Sequence, residues 1–115
     1  MKSKPRIPTV DQFLTYVPHR GDFSWTETSD GLVHITVPKF TSKLGISFCK
    51  LLRRENTFTA RLDQYGSFIW KLCDGKTSVQ TILERVQQQF PNEKNIDQRL
   101  FLFLQQMHSL QYISY

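Results

Sequence analysis

Apolar and polar residues alternate along the first half of this chain and recur at helical spacing along the second. Phe23, Trp25 and Glu27 fall on alternate positions of FSWTE, and residues 32–37 (LVHITV) alternate again, with β-branched Val33, Ile35, Thr36 and Val37. Ser29-Asp30-Gly31 is a turn cluster, so the two runs predict a hairpin whose second strand ends at Pro38. A third strand is predicted over residues 57–62 (TFTARL), with Phe58, Ala60 and Leu62 on one side and Thr59 and Arg61 on the other.

From residue 62 onward the period lengthens. Asp63 suits the N-cap of a helix carrying Tyr65, Phe68, Ile69 and Leu72, with Trp70 on a neighbouring face. Gly75 ends that helix because it can take positive φ. Thr77 or Ser78 opens the next helix, whose apolar row is Val79, Ile82, Leu83, Val86 and Phe90, and Pro91 closes it. Two helices joined by a short glycine-containing turn form a helix-turn-helix unit. A third helix is predicted from Asn95 or Asp97 to about Gln111, with Ile96, Leu100, Phe103, Leu104, Met107 and Leu110 in a wide stripe that Phe101 and Leu102 extend. Its Leu100–Leu104–Met107 side suits the core. Phe103 and Leu110, with Gln106 beside them, suit the border of a groove, although an aromatic stripe is core by default. Residues 112–115 form a tail able to return to the sheet.

Residues 39–56 are too long for a hairpin loop. Leu44, Phe48, Leu51 and Leu52 have helical spacing there among Lys43, Lys50, Arg53 and Arg54, which predicts a short amphipathic helix. Its stripe is expected to pack on the chain's own sheet in preference to a membrane or a partner. Residues 1–22 hold Pro5, Pro8 and Pro18 with one apolar patch of Val10, Phe13, Leu14 and Val17. They predict an arm that covers a surface of this chain or of a second copy, so a homodimer with exchanged arms stays open. The fold class expected is α+β: a winged helix-turn-helix with a small three-stranded antiparallel sheet followed by three helices. The arm is residues 1–22, the domain 23–115, and the basic insert 39–56.

A chain of 115 residues suits one domain, and its 39% hydrophobic and 13% aromatic content argues for a packed globule. No run approaches the roughly 20 apolar residues that span a bilayer. The start MKSKPRIPTV lacks the apolar stretch of a secretory signal. Cys49 and Cys73 form no CxxC and read as two reduced thiols, which points to the cytoplasm. Residues 1–38 and 62–115 each balance their charges. The formal excess of +5 sits in residues 39–61, where Lys39, Lys43, Lys50, Arg53, Arg54 and Arg61 stand against Glu55 alone. Such a local excess steers an acidic partner, or simply forms a solvated face.

Nothing catalytic is assembled by the sequence. His19, His34 and His108 are far apart, and Asp74-Gly75-Lys76 is a turn without the glycine-lysine framework of a phosphate loop. No enzyme activity, metal or cofactor is expected.

The string LDQYGSFIWKLCDGKTSVQTILERV over residues 62–86 resembles the core signature of the PQQ synthesis protein D-like (PqqD-like) family. That pattern is a leucine and an acid ending a strand, an aromatic-rich helix, "DG", and a Thr/Ser-capped helix. A weaker resemblance runs upstream through residues 30–38 and downstream through residues 99–113. The resemblance implies a compact winged-helix module that holds the leader segment of a ribosomally made peptide for a modifying enzyme, a radical SAM enzyme being one class. It also implies that the peptide adds as a strand along the third strand, beside the third helix. Carried onto this sequence, the strand offers Phe58, Thr59, Ala60 and Arg61, and the helix offers Arg99, Phe103, Gln106, Met107 and Leu110. Arg61 and Arg99 would meet acids of the leader; Phe103, Met107 and Leu110 would take its apolar anchors. Whether the insert or the arm covers that edge is left open. The alternative is DNA binding through the helix at 79–90, which exposes Gln80, Glu84, Gln87 and Gln88 with Arg85 as its cation. So few positive charges on a reading helix make nucleic acid the second choice.

Overall fold

A computed structural model describes residues 7–39, 43–53 and 56–115 of the chain. Pro5 of the arm, Arg54 and Glu55 of the insert, and the side chain of Phe48 lie outside the described residues. The elements run α1 (Val10–Leu14), β1 (His19–Arg20), β2 (Trp25–Glu27), β3 (Val33–Pro38), α2 (Lys43–Leu51), β4 (Thr57–Arg61), α3 (Gln64–Leu72), α4 (Val79–Gln89), α5 (Ile96–Ser109) and β5 (Ile113–Ser114). They form a mixed α+β structure with a three-stranded antiparallel sheet, a content and order compatible with a winged-helix-like fold. Two compact units divide the chain: Asp22–Trp70, and the described residues up to Gly21 together with Lys71–Tyr115.

In the Asp22–Trp70 unit the predicted hairpin forms, with Trp25 opposite Ile35 and Glu27 opposite Val33. Gly31 takes φ 82° in its turn, where a side chain would be strained. β4 adds on the other side of β3, giving the order β2-β3-β4. Val33, Ile35 and Val37 are buried while Thr36 is exposed, so the period-two pattern of the central strand is a true inside–outside pattern. Asp63 caps α3 as predicted, its Oδ1 accepting from Gly66 N–H at 2.7 Å. Ser67, one turn in, is buried and closes the sheet. Leu62 N–H donates to the Val33 carbonyl, whereas Val33 N–H donates to Ser67 Oγ at 2.8 Å, which in turn donates to the Leu62 carbonyl. The hydroxyl is inserted into the last rung of the β3–β4 ladder. Trp70 is fully buried with the Trp25 ring edge-on at 6.3 Å.

The insert does form a helix, α2, but its leucines do not pack as expected. Leu44 and Leu51 keep 82% and 79% of their surface exposed, and Leu52 is exposed as well. The helix instead turns its small residues inward: Cys49 is buried and Gly45, one turn earlier, is half-buried. Gly45 and Cys49, at i and i+4, share one face of the helix, and Leu44 and Leu51 lie away from it.

In the other unit the arm folds onto its own chain. Thr9 and Gln12 make a reciprocal capping box at the start of α1. Phe13 is buried, with the rings of Phe101 and Tyr115 edge-on at 5.4 Å and 5.6 Å. The tail does not return to the three-stranded sheet. β5 pairs with β1 in a separate two-stranded sheet, with Ser114 opposite His19 and Ile113 opposite Arg20. The stretch after α3 is tied to the same region: Arg20 N–H donates to the Cys73 carbonyl, Gly75 N–H to Pro18 and Val79 N–H to Tyr16. Ser78 rather than Thr77 caps α4, accepting from Thr81 N–H. Val79, Ile82 and Val86 of α4 and Ile96, Leu100, Leu104 and Met107 of α5 are buried.

Candidate functional site

β4 is the last strand of its sheet, and among the described residues no strand pairs with its far side. The register decides what that edge offers. Lys39 N–H donates to the Asn56 carbonyl and Leu62 N–H to the Val33 carbonyl, so the rungs facing β3 fall on residues 56 and 62 of this segment. Antiparallel pairing alternates, which places the Phe58–Val37 and Ala60–Ile35 pairs on the same set of rungs. The backbone N–H and C=O groups of Thr57, Thr59 and Arg61 therefore point outward. These residues carry the outward edge of the sheet; Phe58 and Ala60 spend their backbone groups on β3.

The side chains divide in the same way. Phe58 and Ala60 share a face with Val37 and Ile35, the buried face of the sheet, yet Phe58 is still 43% exposed. Thr57, Thr59 and Arg61 are exposed on the opposite face, with Thr36 across the ladder from Thr59. A strand added at this edge would have alternate residues beside the Phe58 ring and beside the Arg61 guanidinium. Thr57 was missed by sequence reasoning because hydrogen-bond parity depends on register, which the residue pattern of one strand does not contain.

The helix residues expected to take part lie on α5 and its C-cap, in the other unit. Arg99, Gln106 and Leu110 are exposed and Phe103 is half-buried, so these four occupy one accessible flank. Met107 departs from expectation. At 4% exposure it belongs to the buried row with Leu100 and Leu104, and it offers no surface for an anchor. Arg99 Nη1 is 2.8 Å from Glu93 Oε2, so any acidic ligand competes with an internal carboxylate for it. Leu102, exposed and in the row Leu102–Gln106–Leu110, was absorbed into the broad stripe by the sequence reading. It lines an open hollow of about 530 Å3 with Gln105, Gln106, Ser109 and Leu110. A second hollow is walled by Phe13, Tyr16, His108 and Tyr115, the last two rings stacked at 4.4 Å.

Among the described residues no group of three or more His, Cys, Asp or Glu could hold a metal ion. Burial pushes the Cys73 thiol up to about 12, against the pull of Arg20 and with the help of Asp74, so it stays protonated and poorly nucleophilic at neutral pH. The exposed side of α4 shows Gln80, Glu84, Arg85, Gln87 and Gln88, a single cation among amides and an acid.

The class is a small α+β protein: one unit carries a sheet whose β4 border no described strand covers, and the other carries an accessible flank of α5. Residues 51–113 match the family described as Coenzyme PQQ synthesis protein D (PqqD), and the chain belongs to that family. The match starts in α2, so the hairpin and the weaker resemblance at residues 30–38 lie outside it. A PqqA binding protein of Acinetobacter baylyi is 38% identical over 53 residues, which is 46% of this chain and 54% of that relative. The chain thus spans about half the length of the curated relative it matches. No solved structure matches the chain.

Proposed function

We propose that this protein is a non-catalytic peptide-binding module that holds the leader segment of a ribosomally made precursor and presents it to a modifying enzyme. The observation that carries the reading is the β4 border, where Thr57, Thr59 and Arg61 direct their backbone groups away from β3 and no described strand meets them. An extended peptide satisfies those groups as a fourth strand, and its alternate side chains meet Phe58 and Arg61. Membership of the PqqD family and a relative named for binding PqqA support a peptide as the ligand. In the other unit, Arg99, Phe103, Gln106 and Leu110 of α5, joined by Leu102, form a second candidate peptide surface, with Arg99 for a carboxylate and the apolar residues for anchors. The enzyme partner is a peptide-modifying one, with the radical SAM class as the first to test.

Thr59→Pro tests the border directly. It deletes an outward donor without touching the Ala60 rung, and proline is tolerated on edge strands. Ala60→Pro would instead break the sheet. With a fluorescein-labelled segment of a PqqA-type precursor peptide, Thr59→Pro and Phe103→Ala should each weaken binding about tenfold or more. Their circular dichroism should match that of the parent. Equal anisotropy titrations for both variants and the parent would remove the proposal. Tight, salt-steep binding of random duplex DNA would replace it with a nucleic-acid function.

A further inference from the structure

The exposed leucines of α2 are used neither by the sheet nor by the peptide border. Leu44 and Leu51 are two turns apart and form an outward ridge about 10.5 Å long. Lys43 and Lys50 form a parallel row beside it, also two turns apart and exposed. Leu52 and Arg53 extend the two features beyond the helix, and both are exposed. The opposite side of the helix is fixed inward by Cys49, whose thiol lies 3.7 Å from Asn56 Oδ1. The presented face is therefore set by the fold.

We propose that α2 is a peripheral membrane-docking element that lays Leu44, Leu51 and Leu52 into an anionic lipid surface, with Lys43, Lys50 and Arg53 at the headgroups. Three observations select this occupant. Three exposed cations of the basic stretch, Lys43, Lys50 and Arg53, lie on or next to this helix, so the face attracts anions and repels a second copy of itself. The apolar feature is a convex ridge rather than a groove, and a fluid bilayer accepts such a ridge without a shape-matched cavity. Lysines set beside leucines keep their ammonium groups at headgroup level while their methylene stems follow the apolar residues down. Among the described residues no helix is long and apolar enough to cross a membrane, and the docking proposed is along the surface.

The test is flotation of the full chain with vesicles of pure phosphatidylglycerol and of pure phosphatidylcholine, at low and high salt. No peptide enters it, so its failure leaves the peptide reading untouched. Binding to phosphatidylglycerol at low salt is expected, with little to phosphatidylcholine. Leu44→Ser/Leu51→Ser and Lys43→Glu/Lys50→Glu should each reduce the partition about tenfold or more; all four side chains are exposed, so folding is retained. Absence of binding to phosphatidylglycerol overturns the proposal. So does binding that the serine pair leaves unchanged, which would mark a purely electrostatic anion patch. Saturable binding of poly-glutamate without vesicle binding would assign the face to an acidic protein and overturn it equally.

Discussion

Ser67 shows how one hydroxyl can complete a sheet. Its Oγ accepts from Val33 N–H and donates to the Leu62 carbonyl, standing between two backbone groups that would otherwise pair with each other. Ser67→Ala leaves the buried Val33 donor without its acceptor, and a buried unsatisfied amide costs about 1–3 kcal/mol. Urea titration should show that loss of stability, with an unchanged m-value. Asp74 acts at the turn after α3, where its carboxylate accepts from the N–H groups of Lys76 and Thr77 and from the Thr77 hydroxyl. The bond from Lys76 N–H is the largest influence and, with those from Thr77, holds the carboxyl below its ordinary 3.8 against the opposing pull of desolvation. As pH falls, the unfolded chain takes up this proton first. The contribution of the turn is therefore complete above 3.8 and is lost as pH drops through the lower, folded value. Asp74→Asn should accordingly flatten the fall of Tm with pH in that acid range, measured by thermal scans. Asp63, Gly75 and the Ser78 cap were legible as residues, because capping and positive φ depend on a few neighbouring positions. Ser67 was not, since its partner Val33 lies 34 residues away.

Elements differ in how far local pattern reaches. β3 and α4 formed as predicted because each buries one face, and burial is what hydrophobic periodicity records. α2 carried an equally clear stripe whose leucines stayed in solvent, since the inward residues Gly45 and Cys49 are too small to register as a stripe. α1 shows the reverse case. A five-residue helix is too short to be stable by itself, and it persists because Phe13 is buried with the Phe101 and Tyr115 rings edge-on to it. Phe13→Ala should cost about 3–5 kcal/mol in chemical denaturation, as for other buried aromatics. A loss below about 1 kcal/mol would mean that the arm is a loose appendage.

At the scale of the whole molecule, the pairing of β1 with β5 joins residues near the two ends of the chain, and the match to the PqqD family covers residues 51–113 between them. The sequence by itself determined the hairpin, the third strand, the order of the last three helices and the Asp63 cap of the first of them, because propensity, period and turn chemistry act over a few residues. It also located the positive charge, which needs only counting. Tertiary structure decided which backbone groups of β4 face outward, that Met107 is core while Leu102 is surface, and that the tail pairs with His19 and Arg20. Each of these rests on register or burial between segments distant along the chain, and such relations are set by packing rather than by the pattern within any one segment.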